Sequence, residues 1–428
     1  MMGLVTRAVI EACVAQGERN PIASIHDQGA AGPANVNTEL VELAGGRIDI
    51  RKIRLGDNTL SVLVIWGAEY QERYGILIWD DRLDEFLGIC EREACPVEVL
   101  GEVTGDGRIV VEDSSDNTTP VDLPIKEVLS GLPQWVIRDT TPLSLGAPLV
   151  LPEGLTVQQA AERVLRLPVV GSKGFHVHRV DRSVGGLVVQ QQCCGPYQLP
   201  VGDCAVSSLG FFDTVGIASS IGEQPLKTML NSPAGVRMAI AEALLNMAGV
   251  AVSQFPDIKM QGNVMWPGAT DGDMVRLYHA LDRGVRQFLP RLGIVEDGGK
   301  DSMSMRANDA SGRTVKSPHT FVATLYAPVP DVRRAVTPDL KRKSGSTLLL
   351  IAPDLQQRRL GASALAQVYN QLGDECPDVE AGPLRAVFCA VQELARAGFA
   401  ESWHDRSDGG LFVTLAEMAI AGGVGLDV

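Results

Sequence analysis

The stretch Ser24-Ile25-His26-Asp27-Gln28-Gly29-Ala30-Ala31-Gly32 near the start of the chain aligns with Ser402-Trp403-His404-Asp405-Arg406-Ser407-Asp408-Gly409-Gly410 near its end. The surroundings repeat as well. Residues 8–16 and 391–397 both carry helical apolar spacing, and each leads through a short strand-like stretch into the His-Asp loop. After the loop, 37–44 and 412–421 read as helices that stop at Gly45-Gly46 and Gly422-Gly423, glycine being an ordinary helix terminator. A matched tripeptide alone means little. Helix, strand, loop, helix and stop in the same order imply a duplicated module of mixed α and β structure.

The repeat also predicts how the chain is cut. Before the second copy lie a strand-like stretch, 346–352, and a helical one, 361–371, for which the first copy has no room after Met1. The first copy runs on through 60–66, 74–79, a helix at 82–93 and strands at 97–103 and 108–111, whereas the second reaches Val428 before any of these. The expected organisation is a first module at 1–113, truncated at its N-terminus, and a Pro-, Ser- and Thr-rich linker at 114–165. A separate α/β domain follows at 166–336, and then a second copy, 337–428, truncated at its C-terminus. In the middle domain 175–180, 186–191 and 320–326 read as strands, and 233–250 and 272–292 as long helices.

Composition narrows the function classes. With 45% hydrophobic and 21% charged residues, the chain has a globular α/β or α+β make-up. A net charge of −14 repels phosphate backbones and 5% aromatic residues offer few stacking platforms, so nucleic-acid binding is not expected. The eight cysteines form no CxxC pair and none clusters with His at zinc-ligand spacing, so reduced thiols in a cytoplasmic protein are expected. No apolar run approaches the ~20 residues of a membrane span, and residues 1–7 carry no signal-peptide core.

Several polar residues stand out from their surroundings. Ser232 suits a helix N-cap and Pro233 the first helical position. In the apolar helix that follows, Glu242 and Asn246 lie four apart and so share a face. They form either a solvated stripe with Arg237 or a pair of oxygen ligands for Mg2+. Asp203, between short apolar runs, reads as a turn or cap residue. Asp27 and Asp405 sit at the tips of glycine-rich loops ahead of helices, which are either anion seats bridged by a metal or plain tight turns. Gly298-Gly299-Lys300-Asp301-Ser302 is not a P-loop, because Asp301 occupies the Ser/Thr position; a different glycine loop and a hairpin turn both remain open. His176 and His178 read as ordinary strand residues, while His26 and His404 either hold their loops by a hydrogen bond or take part in catalysis.

These motifs, taken in order, resemble the synthetase region of the large, single-chain phosphoribosylformylglycinamidine synthases. The matching stretches are Ile25–Gly32, Glu69-Tyr70-Gln71-Glu72-Arg73, Val180–Gly186, Gly202-Asp203-Cys204-Ala205-Val206, Ala241–Asn246, Gly298–Met305, Leu360–Gln367 and His404–Leu411. The resemblance implies a tandem of modules like aminoimidazole ribonucleotide synthetase, with N-type mixed sheets carrying helices and C-type α/β sandwiches. This chain would hold the first C-type module, a linker, the second N-type module and the start of the second C-type module. It further implies a ligase that forms C–N bonds with glutamine as amido donor. Such an enzyme converts formylglycinamide ribonucleotide, ATP and glutamine-derived ammonia into formylglycinamidine ribonucleotide, ADP and phosphate, with Mg2+ offsetting phosphoryl charge.

Carried over residue by residue, the resemblance makes Asp203, Glu242, Asn246 and Asp405 Mg2+ ligands and puts Gly202 and Ser407 against nucleotide. It makes Asp27 the metal-binding residue of the pseudo-equivalent site, and lines the substrate site with Glu69, Tyr70, Gln71, Gly299 and Ser302. The Asp203–Asp405 set corresponds to a site that holds nucleotide structurally in the family's bacterial large form. The module with the catalytic His and the glutaminase domain with its triad are not represented, so no catalytic residue is expected here and the chain alone is expected to be inactive. Three positions depart from the family pattern: Ala31 stands where Gly is usual, Tyr70 where Ser is common, and Val264 where Trp is usual. A structural nucleotide-binding half and a small-molecule kinase of the same superfamily are the alternative readings.

Overall fold

The computed structural model describes residues 2–70, 73–131, 136–139, 146–179, 186–268, 272–341, 345–352 and 359–428, which fall in two compact units, Met1–Val136 and Ile137–Val428. The first unit runs α1 (Met2–Val14), β1 (Ile22–Asp27), α2 (Gly32–Leu40), β2 (Gly46–Asp49), α3 (Val62–Gly67), β3 (Tyr74–Ile78), α4 (Leu83–Arg92), β4 (Gly101–Val103), β5 (Arg108–Asp113), β6 (Thr118–Pro124) and α5 (Ile125–Val128). Apolar residues at helical spacing, Val9 and Cys13 on α1 and Phe86, Ile89 and Cys90 on α4, pack together beside the antiparallel β1–β3 ribbon. The other strands form a sheet of order β4-β2-β5-β6, in which only β2 and β5 are parallel. Of the strand expected at 97–103, only Gly101–Val103 pairs.

Residues 114–165 are not a linker throughout. β6 pairs antiparallel with β5, and Val121 packs with Ile48, Ile109 and Ile125. Farther on, Thr156 and Gln159 close a capping box at the start of the next helix, α6 (Val157–Val164). Its Val164 packs with Val170, Ala364 and Val413 in the second unit. Pro, Ser and Thr mark turns as readily as linkers, and here they punctuate paired elements.

The second unit continues with α7 (Gly174–Val177), β7 (Val188–Gln190), β8 (Cys204–Ser208), β9 (Gly216–Glu223), α8 (Pro225–Leu230), α9 (Ser232–Met247), β10 (Lys259–Met265) and α10 (Asp273–His279). A π-helical segment (Ala280–Arg286), α11 (Phe288–Leu292), β11 (Val295–Ser302), β12 (Arg306–Asn308), β13 (Thr314–Lys316), β14 (Thr320–Val329), α12 (Ala364–Gln367), α13 (Ala381–Arg396) and α14 (Leu411–Gly422) follow. Its main sheet has the order β11-β10-β14-β9-β8-β7, with β10 and β11 parallel. Residues of β9 and β14 alternate between buried and more accessible, as a half-covered sheet requires. The buried side meets α9, and Leu384, Phe388 and Val391 of α13 join the same core. The second copy of the repeat is therefore packed into the unit that contains the middle domain.

Five expectations are corrected here. Of the strand expected at 175–180, the described residues 175–179 form none and residue 180 lies outside them: Gly174–Val177 is a single helical turn, and His178 Nε2 meets the Gln198 carbonyl at 2.9 Å. Four alternating residues mimic a strand period, but no neighbouring strand pairs with them. The 272–292 helix is broken by the π-helical segment, and Pro290 has no N–H to continue the ladder. Described residues of 346–352 pair with no strand, and of 361–371 only Ala364–Gln367 is α-helical, with Ala362 and Asn370 at positive φ on either side. The approach to the second His-Asp loop, 398–403, is irregular rather than extended into a strand.

Candidate functional site

In the second unit, three segments far apart in sequence converge. Asp203 stands at the foot of β8, anchored by buried Cys204 and Val206. Gly202 before it donates its N–H to the Gln192 carbonyl at 2.9 Å, and a Cβ there would come within 2.9 Å of the Gln191 carbonyl oxygen. The second segment is α9. Its N-cap is Asn231, one residue earlier than expected, with Oδ1 accepting from the Ala234 N–H. α9 lies so close to the sheet that a Cβ on Gly222 of β9 would stand 2.1 Å from the Ala239 carbonyl oxygen.

That close fit turns Glu242 and Asn246 towards the sheet. Glu242 accepts from the Glu223 N–H (2.7 Å) and the Gln224 amide (3.0 Å), and Asn246 Nδ2 donates to the Ile221 carbonyl (2.9 Å). They do not form a solvated stripe with Arg237, which pairs with Asp378 at 2.6 Å.

The third segment is the loop from His404 to Gly410. Asp405 is buried; its Oδ1 accepts from Ser407 Oγ at 2.9 Å and its carbonyl from Thr414 Oγ1 at 3.3 Å. His404, with a side chain 1% exposed, donates from Nδ1 to Asp405 (3.2 Å) and from Nε2 to Glu417 of α14 (3.0 Å), and its Nδ1 lies 3.4 Å from Asp203. One ligand atom from each of Asp203, His404 and Asp405 falls within 4.8 Å of the others. Asp203, Asp405, Asn246, Gln190 and His404 line a small, partly open cavity of about 10 Å³, about the space of one water molecule or small ion. Asn246 Oδ1 and Gln190 Oε1 are buried with no hydrogen-bond partner among the described residues.

Charge is concentrated here. Burial pushes Asp203 up to about 7, with Asp405 and Glu417 adding to the rise and His404 opposing it. Burial likewise pushes Glu242 up to about 8, against its two hydrogen bonds. Burial alone would lower His404, but its hydrogen bonds to Asp405 and Glu417 and the nearby Asp203 outweigh this and raise it to about 10. The imidazolium thus sits as a cation in a nest of carboxylates made by Asp203, Asp405 and Glu417. Two unpartnered buried amide oxygens beside two carboxylates form the donor set of a hard cation, and they fit Mg2+ better than a soft metal. Glu242 lies one helical turn from Asn246 and does not line the cavity itself.

Comparison with known proteins gives a consistent outcome. The FGAR-AT PurM_N-like domain family matches residues 172–328, and the family described as AIR synthase related protein, C-terminal domain, matches both 3–114 and 343–428. The phosphoribosylformylglycinamidine synthase of Drosophila melanogaster is 45% identical over 442 residues, covering 98% of this chain and 32% of the relative. The human one is 43% identical, with the same shares. This chain belongs to the phosphoribosylformylglycinamidine synthase family. It spans about a third of the length of the curated relatives it matches. Among solved structures, T. maritima PurL complexed with ADP aligns with a TM-score of 0.56 at 18% identity, over 78% of this chain and 51% of that one. T. maritima PurL complexed with FGAR aligns with a TM-score of 0.57 at 16% identity, over 92% and 54%. At such identities the likeness concerns the fold.

In this family member the first copy of the loop is built differently. Asp27 is exposed (76% of its side chain), and no other acid, His or Cys joins it in a metal-ligating group among the described residues. The loop nonetheless packs on Ala68–Tyr70: a Cβ on Gly32 would stand 2.0 Å from the Ala68 carbonyl oxygen, and Gln28 Nε2 donates to the Tyr70 carbonyl at 2.9 Å. Glu69 accepts from the Ala31 N–H at 3.4 Å. Gln71 lies outside the described residues. Gly299 and Ser302 belong to the second unit, where Gly298–Ser302 is neither a glycine loop nor a hairpin but the end of edge strand β11. Sequence reasoning missed Glu417 and Gln190. The repeat itself signalled the former: Glu39 follows His26 at the same 13-residue spacing as Glu417 follows His404, and its Oε2 lies 3.0 Å from His26 Nε2.

Proposed function

We propose that this chain supplies part of the synthetase region of an enzyme that makes formylglycinamidine ribonucleotide from formylglycinamide ribonucleotide, ATP and glutamine-derived ammonia. In this reading the second unit holds an adenine nucleotide through Mg2+. The observation that carries it is a pair of buried oxygens without a hydrogen-bond partner among the described residues, Asn246 Oδ1 and Gln190 Oε1, on two residues that line the same cavity as Asp203 and Asp405. PurL structures in complex with ADP, AMPPCP, ATP and FGAR support the choice of ligands. Bound Mg2+ would offset the negative charge of nucleotide phosphates. Asp203, Asn246 and Asp405 would hold it, Glu242 would join from the next turn of α9, and His404 would hold the two Asp carboxylates in place. Gly202 and Ser407 would contact the nucleotide and Gly299 and Ser302 the ribonucleotide substrate in the second unit, while Glu69 and Tyr70 are proposed as substrate contacts of the first unit, with Asp27 at its pseudo-equivalent position.

Turnover is proposed to need more of the synthase than this third of its length, including an ammonia-supplying glutaminase. The proposed compartment is the cytoplasm, in keeping with cysteines that are all free. The test is calorimetric titration with ADP. Binding that requires Mg2+, and that weakens at least about tenfold in Asp203→Ala, is expected; equal binding without Mg2+ and in the variant removes the metal site. One observation favours a structural over a chemical role for this nucleotide. Both ring nitrogens of His404 are committed to carboxylates, so neither is available to move a proton.

A further inference from the structure

Below the end of β11 lies a buried polar cluster that the nucleotide site does not use. Asp273, at the start of α10, is 4% exposed, His319 is 7% exposed, and Trp266 is fully buried. Every oxygen of Asp273 is engaged: Oδ1 with His319 Nε2 at 2.8 Å, Oδ2 with Lys316 Nζ at 2.7 Å, and the carbonyl with the Trp266 indole N–H at 2.8 Å. The Trp266 and His319 rings lie 4.5 Å apart between centroids. Asp139 holds the same helix start from outside, accepting from the Gly272 N–H at 2.9 Å and the Met274 N–H at 3.1 Å.

Trp266 connects this cluster to the strand end. Its backbone N–H donates to the Ser302 carbonyl at 2.8 Å, and its own carbonyl accepts from the Met305 N–H at 3.1 Å. β11 is an edge strand, so it has β10 on one side only, and past Ser302 Trp266 takes over as its anchor. Buried ionic groups are costly unless their geometry is well satisfied, and apolar residues of equal volume would fill the space as stably. Charged and hydrogen-bonded groups here do something apolar packing cannot: they hold the indole N–H on the Asp273 carbonyl, and so hold in one orientation the residue whose backbone anchors the chain as it leaves the sheet after Ser302. The imidazole suits this as a neutral donor. Burial holds its protonation below the ordinary range, Nε2–H points at Asp273, and Nδ1 is buried with no hydrogen-bond partner among the described residues. The other charged groups close by are Lys316 and Arg276.

We propose that His319 and Asp273 are positioning residues for the Gly299–Ser302 segment, acting through Trp266 to set its affinity for a ribonucleotide substrate. The proposal rests on the reading that this segment lines the substrate site. Its test uses the full chain and three variants, His319→Leu, His319→Gln and Trp266→Phe. Binding of formylglycinamide ribonucleotide and of ADP with Mg2+ is measured, together with amide exchange at Trp266 and Met305. His319→Leu and Trp266→Phe are expected to weaken ribonucleotide binding about tenfold and to speed exchange at those two amides. ADP binding should be unchanged, and His319→Gln, which keeps a donor for Asp273, should restore most of the ribonucleotide affinity. Unchanged ribonucleotide binding and exchange in His319→Leu overturn the proposal alone. Failure of the unmodified chain to bind the ribonucleotide overturns the substrate-site reading and the proposal with it.

Discussion

His26 and His404 occupy one position in two copies of a loop, and each faces a Glu from the following helix, yet their surroundings give them different weight. The His26–Glu39 pair is open to solvent, with side chains 45% and 36% exposed, where an ion pair contributes at most about 1 kcal/mol. His404 is enclosed by Asp203, Asp405 and Glu417, and deleting it leaves carboxylates facing one another without a counter-charge. His404→Ala is therefore expected to destabilise the second unit by about 3 kcal/mol or more, with part of the loss recovered by added Mg2+, whereas His26→Ala should cost about 1 kcal/mol or less. Denaturant unfolding of both variants decides it; equal losses would show that enclosure makes no difference. A second residue-scale effect sits in the first unit. Arg51 grips Asp113 with two hydrogen bonds of 2.8 and 2.6 Å, and that grip, with Ser115 helping, holds the Asp113 carboxyl well below the usual range. A depressed carboxyl stabilises the fold above its unfolded value, about pH 4, and this contribution fades as pH falls through the folded value. Asp113→Asn should lower the stability of the first unit at neutral pH and flatten its decline below about pH 4. Parallel stability-versus-pH curves for the two proteins, read from amide protection in β2 and β5, would count against it.

At the scale of elements, long-period signals were legible and local ones were not. α1, α4, α9, α13 and α14 all fall where apolar spacing predicted helices, because that spacing is the stripe each helix buries. Strand predictions failed where no partner stands alongside among the described residues, as at 175–179 and 346–352, since a strand is defined by a neighbour that a short window does not contain. The opposite error hid β6, whose Thr- and Pro-rich sequence reads as linker until β5 is beside it. Of the candidate site, Asp203, Asn246 and Asp405 were legible by resemblance and do share one cavity. Gln190 carried no local signal, because its meaning depends on β7 lying next to β8. The α9–β9 contact offers a direct check of what positions the site. A methyl group at Gly222 would collide with backbone, not with a flexible side chain that could swing away. Gly222→Ala is expected to cost about 1–3 kcal/mol and to weaken Mg2+-dependent ADP binding by moving Glu242 and Asn246 off the sheet. A variant of unchanged denaturation midpoint and unchanged ADP affinity would mean that close packing does not set the site.

For the whole molecule, the arrangement of the two copies determines where a ligand can act. The second copy is packed through α13 and its loop into the core around β8, β9 and α9, so the proposed nucleotide site joins residues 203, 242–246 and 405 within one unit. Whatever binds there ties three distant segments together in the native state and has no comparable site in the unfolded chain. Binding linkage then predicts a stabilisation of about 2.7 kcal/mol at a ligand concentration a hundredfold above Kd. The first unit contains none of these segments and Asp27 stands exposed there, so the gain should be confined to the second unit. Thermal unfolding monitored by residue-resolved hydrogen exchange, with ADP and Mg2+ added together and separately, tests this. Slower exchange in β8, β9 and α9 only when both are present is expected, with β1, β2 and β5 unaffected. Equal protection of both units, or protection by ADP alone, would show that the ligand acts elsewhere than at the Asp203–Asp405 cavity.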